Sequence, residues 1–313
     1  MHREGNSAPA EKCVCIVGPT ASGKSEVALL LAEKLGGEII SVDSMQVYRG
    51  LNIGTAKPGP SELARAPHHL IDIAGLNETF DAAQFARLAS HAAEEIRARG
   101  HVPIFCGGTG LYFKAVFEGL GESPPADKAL RSALEQSPLA TLLTELEQAD
   151  PATFAKIDRQ NPRRVIRALE VIRLTGRPYS AQRTDWRSSG TSAAPFFGLS
   201  RQSADLHARI NARVDQMFQR GLVEEVRQLL GNGLEENRTA MQAIGYCQVA
   251  EHLRAGRPLA ETIELVKIRT RQYAKRQMTW FRRHAQVEWL PVERTESAES
   301  VAQQITSALL KLG

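Results

Sequence analysis

The sequence predicts an α/β protein: a sheet core with helices, interrupted by an all-helical insertion. Three observations predict it. Between residues 12 and 121, short apolar runs alternate with helical patterns. One strand-to-helix turn there carries GPTASGKS, residues 18–25. The stretch 122–186 opens near Pro124-Pro125 and contains no convincing strand.

The elements follow in order. Residues 12–17 (KCVCIV) form a short apolar run that reads as a strand. A helix over 24–35 is stopped by Gly36 and Gly37, and 38–42 (EIISV) is a second strand. Residues 69–73 (HLIDI) are a candidate third strand. Residues 80–99 form a helix with Phe85, Leu88, Ala92 and Ile96 on one face, ended by Gly100. Residues 102–106 (VPIFC) are a further strand, followed at once by GGTG. In the insertion, helices are expected over 128–136, 139–148, 151–157 and 162–174; Pro162 suits a first helical turn and Gly176 a helix end. Residues 188–194 read as a linker and 195–199 as a return to the sheet. Leu206, Ile210, Val214 and Met217 mark one later helix, and Val223, Val226 and Leu230 mark another. A long basic helix is expected over 266–283. The division is therefore a catalytic core of 12–121 with 195–313, a helical insertion of 122–194, and a disordered lead-in of 1–11.

Apolar and charged fractions of 42% and 24% are those of a globular protein, and no apolar run reaches the roughly 20 residues that cross a bilayer. No membrane association is expected. Residues 1–11 lack the apolar segment of a secretory signal. Cys13 and Cys15 share a strand face, and with Cys106 and Cys247 they read as reduced thiols in a cytoplasmic protein. The net charge of +4 says little, but its placement says more. Residues 159–187 carry eight arginines against Glu170 and Asp185, and residues 267–283 carry seven basic residues and no acid. Two such clusters favour a polyanionic partner.

The motif G-x-x-x-x-G-K-[ST] is met in full by Gly18, Pro19, Thr20, Ala21, Ser22, Gly23, Lys24 and Ser25, between a strand and a helix. Its glycines let backbone N–H groups turn towards phosphate oxygens, with Lys24 reaching the terminal phosphate and Ser25 helping to hold Mg²⁺. The pattern does not separate a nucleotide from another diphosphate. Asp43 stands at the end of EIISVD, where open α/β sheets bind ligands, as a metal ligand or a general base. After the later strand, Gly107, Gly108 and Gly110 permit close backbone approach, and Thr109 presents a hydroxyl to the same crevice.

A series of motifs then appears in order: GPTASGKS (18–25), DSMQVYRG (43–50), NIGTAKP (52–58), PHHLID (67–72), GGTGLYFKA (107–115), NPRRVIRALEV (161–171), QAIGY (242–246) and RQYAKRQMTWFR (271–282). Together they closely resemble the bacterial tRNA dimethylallyltransferase family. The resemblance implies a P-loop NTPase-like parallel sheet core with a helical insertion domain. It implies transfer of a dimethylallyl group from dimethylallyl diphosphate to N6 of the adenosine immediately 3′ of the anticodon, releasing diphosphate. Mg²⁺ is the implied cofactor, and a tRNA anticodon stem-loop the partner of a monomeric enzyme. By the resemblance Asp43 is the general base, and Thr109 contacts the diphosphate and orients the reacting ends. Arg213, in RINARVDQM, faces the diphosphate.

The implied tRNA contacts lie in Asp43, Ser44, Met45 and Gln46, with Thr109 and, in the insertion, Arg131. They continue in Arg163, Arg164, Val165, Ile166 and Arg167, and in Gln242, Ala243, Ile244, Gly245, Tyr246 and Cys247. The last set is Lys275, Arg276, Gln277, Met278, Thr279, Trp280, Phe281 and Arg282. Two positions depart from the pattern: many members carry a basic residue where Cys247 stands, and some have Arg in place of Gln242. The sequence carries no C-terminal zinc finger of the kind eukaryotic relatives add, so the core and insertion are expected to supply the RNA grip. Rival readings are an adenine-nucleotide isopentenyltransferase, which needs no anticodon-binding insertion, and a P-loop kinase or nucleic-acid-dependent ATPase, which would hydrolyse or transfer from ATP.

Overall fold

The computed structural model of the chain describes residues 13–120, 124, 126–182 and 194–312. The expected lead-in and most of the expected linker lie outside the described residues. By contact the chain falls into two compact units, Met1–Phe117 with Ser192–Gly313, and Glu118–Thr191.

The first unit is built on a parallel sheet. Its strands are β1 (Val14–Val17), β2 (Gly37–Val42), β3 (His68–His69), β4 (Val102–Gly107), β5 (Phe196–Ser200) and β6 (Glu288–Pro291), in the order β3-β2-β4-β1-β5-β6. Every pairing is parallel. Its early helices are α1 (Lys24–Leu35), α2 (Pro60–Arg65), α3 (Ala82–Ala98) and α4 (Gly110–Phe117). The second unit holds α5 (Lys128–Glu135), α6 (Leu139–Ala149), α7 (Pro151–Lys156), α8 (Pro162–Thr175) and α9 (Tyr179–Gln182). The first unit resumes with α10 (Ser203–Gln219), α11 (Leu222–Gly231), α12 (Tyr246–Ala255), α13 (Leu259–His284) and α14 (Ala298–Leu312).

Alternation along β1 sorts the core into two layers. Val14 and Ile16 pack with Val27 and Leu31 of α1 and with Val301 and Ile305 of α14. Cys13, Cys15 and Val17 face the other way, onto Phe85 and Ile96 of α3, Phe113 of α4 and Phe281 of α13. The four cysteines are free thiols. The second unit has its own core, with Leu134, Leu142, Leu146, Val165 and Leu169 at its centre. Among the described residues, no helix is long and apolar enough to cross a membrane.

Three expectations need correcting. The third strand is only two residues long and ends at His69, because Leu70 and Asp72 adopt left-handed backbone (φ 63° and 56°) that cannot continue a strand. On α3 the inward face runs through Phe85, Ala89, Ala92, Ala93 and Ile96, while Leu88 lies exposed. The long basic helix also begins earlier than expected, at Leu259.

One buried acid ties the amino-terminal edge of this sheet together. Glu38 of β2 accepts hydrogen bonds from Arg99 Nη2 (2.8 Å), and its carboxylate pairs with His69 Nε2 and His101 Nδ1, each at 2.6 Å. It therefore joins β2 to β3 and to the corner between α3 and β4. The Arg99 guanidinium, with the two histidines, outweighs burial and holds the Glu38 carboxyl down at about 2. A depressed carboxylate stabilises the fold above its unfolded pKa and loses that contribution on acidification. From about 4.5 to about 2, the window is worth on the order of 3 kcal/mol. Urea unfolding at pH 7 and at pH 3 is expected to show a smaller acid-induced loss in Glu38→Gln than in the unmutated protein; equal losses would contradict the role.

Candidate active site

Three loops leave the sheet at one level. Val17 of β1 and Val42 of β2 are both register partners of Gly107 in β4, which lies between them. The phosphate loop after β1, the Asp43 loop after β2 and the GGTG turn after β4 therefore start side by side, at the strand ends where α/β sheets bind ligands. Glycine is needed at 107 because a Cβ there would collide with the Val42 carbonyl.

The phosphate loop is braced from outside. Gly23 caps α1 in left-handed backbone (φ 101°) with no side-chain cap, so the first N–H groups of α1 are left for another acceptor. Not every loop N–H is available for phosphate: Thr20 N donates to Gln277 Oε1 (2.9 Å) and Ser22 N to Pro19 O (3.3 Å). Lys24 Nζ donates to Pro19 O at 3.2 Å. From the segment before α10, Arg201 Nε donates to Ser22 O (2.8 Å), and from within α10 Arg209 Nε donates to Ala21 O (2.9 Å). The sequence reading missed both arginines. The legible signal was Arg209 one helical turn before Arg213 on the same helix.

A cavity of about 340 Å³ opens onto these loops. Thr20, Lys24, Ser25, Asp43 and Arg213 line it, together with the apolar side chains of Met45, Val214, Met217, Ile244 and Val266. Burial lowers the Lys24 ammonium pKa; Arg213 lowers it further, while Cys106 and Asp43 act the other way. Burial also lowers Arg213, opposed by Asp43 and Glu62. Among the described residues, neither cation makes an ion pair.

Asp43 Oδ1 accepts from Met45 N (2.8 Å) and Gln46 N (3.2 Å). Oδ2 has no hydrogen-bond partner among the described residues, so one oxygen orients the carboxylate and the other is open for a proton. Thr109 Oγ1 accepts from Ser44 N at 3.2 Å, joining the GGTG turn to the Asp43 loop. Gln46 is held in place: its Oε1 accepts from Ser41 Oγ (2.8 Å) and its Nε2 donates to Thr55 O (3.1 Å).

The residues expected to touch tRNA divide into surface and scaffold. On α13, Lys275, Arg276, Thr279 and Arg282 are exposed, and Met278 and Trp280 are half-buried. Gln242 is exposed and Cys247 half-buried, while on α8 Arg163 and Arg164 are exposed. Several of the other side chains expected there are buried. Phe281, Tyr246 and Val165 are fully buried, and Ile166, Ala243 and Gln277 nearly so. Tyr246 is a strut: its hydroxyl donates to Glu225 Oε1 (2.6 Å) and accepts from Gly54 N (3.2 Å). Gly245 has φ 97° and starts α12, a backbone role. Arg131 and Arg167 are spent on Glu170, which is fully buried and receives them at 2.6 and 2.7 Å. Burial pushes the Glu170 carboxyl up, but the two guanidiniums outweigh it and hold it below the usual carboxylate range.

Comparison with known proteins agrees with the geometry. A family model described as IPP transferase matches residues 46–284. The chain is 46% identical over 295 residues to a tRNA dimethylallyltransferase of Geobacter sulfurreducens, covering 91% of this chain and 94% of that protein. A crystal structure of a tRNA isopentenylpyrophosphate transferase from Bacillus halodurans superposes with a TM-score of 0.71 at 40% identity, covering 96% of this chain and 98% of that one. A eukaryotic dimethylallyltransferase acting on tRNA gives 0.76 at 28% identity, with 96% of this chain and 77% of that one covered.

The Glu170 pairing has a measurable consequence. Arg167→Ala removes one charge-assisted partner of a buried carboxylate and is expected to destabilise the helical unit by about 2 kcal/mol. Arg164→Ala, an exposed change on the same helix, is expected to cost well under about 0.5 kcal/mol. Denaturant titration distinguishes them, and equal effects would contradict the structural role of Arg167.

Proposed function

The chain belongs to the IPP transferase family, and on that premise we propose how its residues carry out prenyl transfer to tRNA. It transfers a dimethylallyl group from dimethylallyl diphosphate to an adenosine of tRNA; in this reading the acceptor atom is N6 of the adenosine immediately 3′ of the anticodon. The sheet unit is a P-loop NTPase-like core whose phosphate loop serves a prenyl diphosphate. The observation that carries the reading is one cavity holding both chemistries: two cations, Lys24 and Arg213, with no ion pair among the described residues, and an apolar wall from Val214, Met217, Ile244 and Val266. A dimethylallyl diphosphate needs both, a cationic cradle for its anion and a dry surface for its five carbons.

The reaction is a substitution at an allylic carbon. The bond from C1 to the bridging oxygen breaks, the bond from the amine nitrogen to C1 forms, and the amine gives up a proton. Negative charge grows on the departing diphosphate, where Lys24, Arg213 and the first N–H groups of α1 are already placed. The exocyclic amine is a weak nucleophile because its lone pair is delocalised into the ring. Asp43, held through Oδ1 by two backbone N–H groups, takes the proton on Oδ2 as the new bond forms. Thr109 holds the Asp43 loop and the turn after β4 in one arrangement.

Mg²⁺ fits the residues present. It prefers oxygen donors and usually takes only one or two from protein, the rest coming from substrate phosphates and water. Ser25 offers a hydroxyl on the cavity wall. Bound there, Mg²⁺ would neutralise charge on the diphosphate.

The tRNA contacts in this reading are the exposed basic residues of α13, Lys275, Arg276 and Arg282, with Gln242 nearby in sequence to α12 and Arg163 and Arg164 on the helical unit's own surface. Arg269, Arg276 and Arg283, seven apart on α13, are all exposed, as one continuous phosphate-binding face requires. tRNA and a reduced-thiol protein share the cytoplasm, and the enzyme is placed there.

With labelled dimethylallyl diphosphate and Mg²⁺, label is expected to pass to bulk tRNA and not to AMP. In Asp43→Asn, single-turnover transfer is expected to fall by about 10²–10⁴-fold with tRNA affinity nearly unchanged. Label on AMP alone would replace the acceptor assignment, and a near-normal rate in Asp43→Asn would exclude the base.

A further inference from the structure

We propose that Gln277 is a positioning residue for the transfer: its side-chain amide clamps the phosphate loop to the turn after β4, and through that turn sets the leaving-group loop against the Asp43 loop. The inference rests on the reading of the site given above. Gln277 lies on α13 between exposed basic residues, yet it is buried (6% exposed) and points inward. Its Oε1 accepts from Thr20 N at 2.9 Å, and its Nε2 donates to Gly108 O at 3.1 Å. Only one orientation of the amide satisfies an N–H on one side and a carbonyl on the other.

The surroundings are shaped to it. A Cβ on Gly108 would collide with Gln277 Nε2, so glycine at 108 makes room for the clamp. The next residue, Thr109, donates its N–H to Val42 O (3.3 Å) and accepts from Ser44 N (3.2 Å). Contacts therefore run without a break from Thr20 in the phosphate loop, through Gln277 and the 108–109 turn, to the residues on either side of Asp43. One side chain thus spaces the loop that holds the diphosphate from the loop that holds the base. An in-line displacement needs that spacing, and a misplacement of about 1 Å costs on the order of 10²-fold in rate. Glutamine is the side chain that fits. Asparagine is one methylene short, glutamate offers two acceptors and no donor, and leucine offers neither.

Gln277→Leu is expected to lower single-turnover transfer by about 10²-fold while leaving the tRNA Kd within about twofold. Gln277→Glu is expected to lose rate at neutral pH and to recover it, relative to the unmutated protein, as the pH falls. A protonated carboxyl again places an O–H donor beside a C=O acceptor. Lys24, Asp43, Glu62, His68, Cys106, Arg213, Tyr273 and Arg276 border the same cavity in both proteins, so the ratio isolates the substituted side chain. Amide hydrogen exchange at Thr20 reads the clamp whether or not transfer occurs. It is expected to be slow in the unmutated protein and in Gln277→Glu, whose Oε1 still accepts, and fast in Gln277→Leu. The proposal is overturned by a loss confined to tRNA affinity, by a Gln277→Glu ratio that stays flat with pH, or by unchanged Thr20 exchange in Gln277→Leu. Gln277→Glu decides the matter alone where Gln277→Leu does not fold. Absence of transfer in the unmutated protein would strike the functional reading, with Thr20 exchange still reporting on the clamp.

Discussion

Two cations share a partly buried cavity, and among the described residues no anion is paired to either. Lys24 is turned back onto the carbonyl of Pro19, and Arg213 makes no hydrogen bond or ion pair among the described residues. Burial works against both charges, and a charge taken out of water without a partner lowers stability. In the proposed function the anion of the substrate completes the arrangement. The carboxylates nearby, Asp43 and Glu62, soften the repulsion without closing an ion pair. Glu62 is occupied with the backbone of Gly59 (2.8 Å), and Asp43 with Met45 and Gln46. The site is thus left short of negative charge, which in the proposed reading a diphosphate supplies.

Around that deficit, other residues keep the loops still. The loop after β1 is braced by Arg201 just before α10, by Arg209 of α10 and by Gln277 of α13. The segment after Asp43 is pinned by Lys57, which reaches Tyr48 O (2.8 Å), Asn52 Oδ1 (3.1 Å) and Asp72. It is pinned again by Glu225, which receives the N–H of Ile53 (2.9 Å) and the hydroxyl of Tyr246. Catalysis by prepositioned charges requires this rigidity, because groups that must reorganise during the reaction lose most of their advantage. The stretches whose exposed basic residues are proposed to meet RNA also carry buried anchors one position away. Arg276 beside Gln277, and Arg282 beside Phe281, let one helix serve the surface and the site together.

Much of this was legible from local sequence. β1, α1 and β4 announce themselves by apolar runs bounded by glycines, and α5 to α8 by proline at the first helical position or by periodicity. The phosphate loop and Asp43 were legible because strand ends and glycine turns have fixed geometry. Elements that depend on tertiary packing were not. α4 starts inside a glycine turn, where Tyr112 and Phe113 donate to Thr109 O, so the turn masked the helix. β6 is an edge strand with exposed ends and carries little apolar signal. Polar side chains with structural partners are the least legible: Gln277, Tyr246, Arg131 and Arg167 look like surface chemistry in the sequence. Gln277, Tyr246 and Arg131 bond to partners distant along the chain, at Thr20, Glu225 and Glu170, which no local pattern encodes, while Arg167 meets Glu170 one helical turn away.

The central claim is that Arg213 costs the unliganded protein stability and stabilises the bound diphosphate. Arg213→Met keeps an aliphatic stem of similar reach and removes the charge. Thermal unfolding without ligand, paired with calorimetric titration of dimethylallyl diphosphate, reads both sides at once. The account predicts an unliganded Tm equal to or above that of the unmutated protein, with diphosphate affinity at least about tenfold weaker, as expected for loss of a charge-assisted contact of about 1.5–3 kcal/mol. A lowered Tm with undiminished affinity would show that Arg213 is a structural residue, and that the cavity's charge deficit is not what holds the substrate.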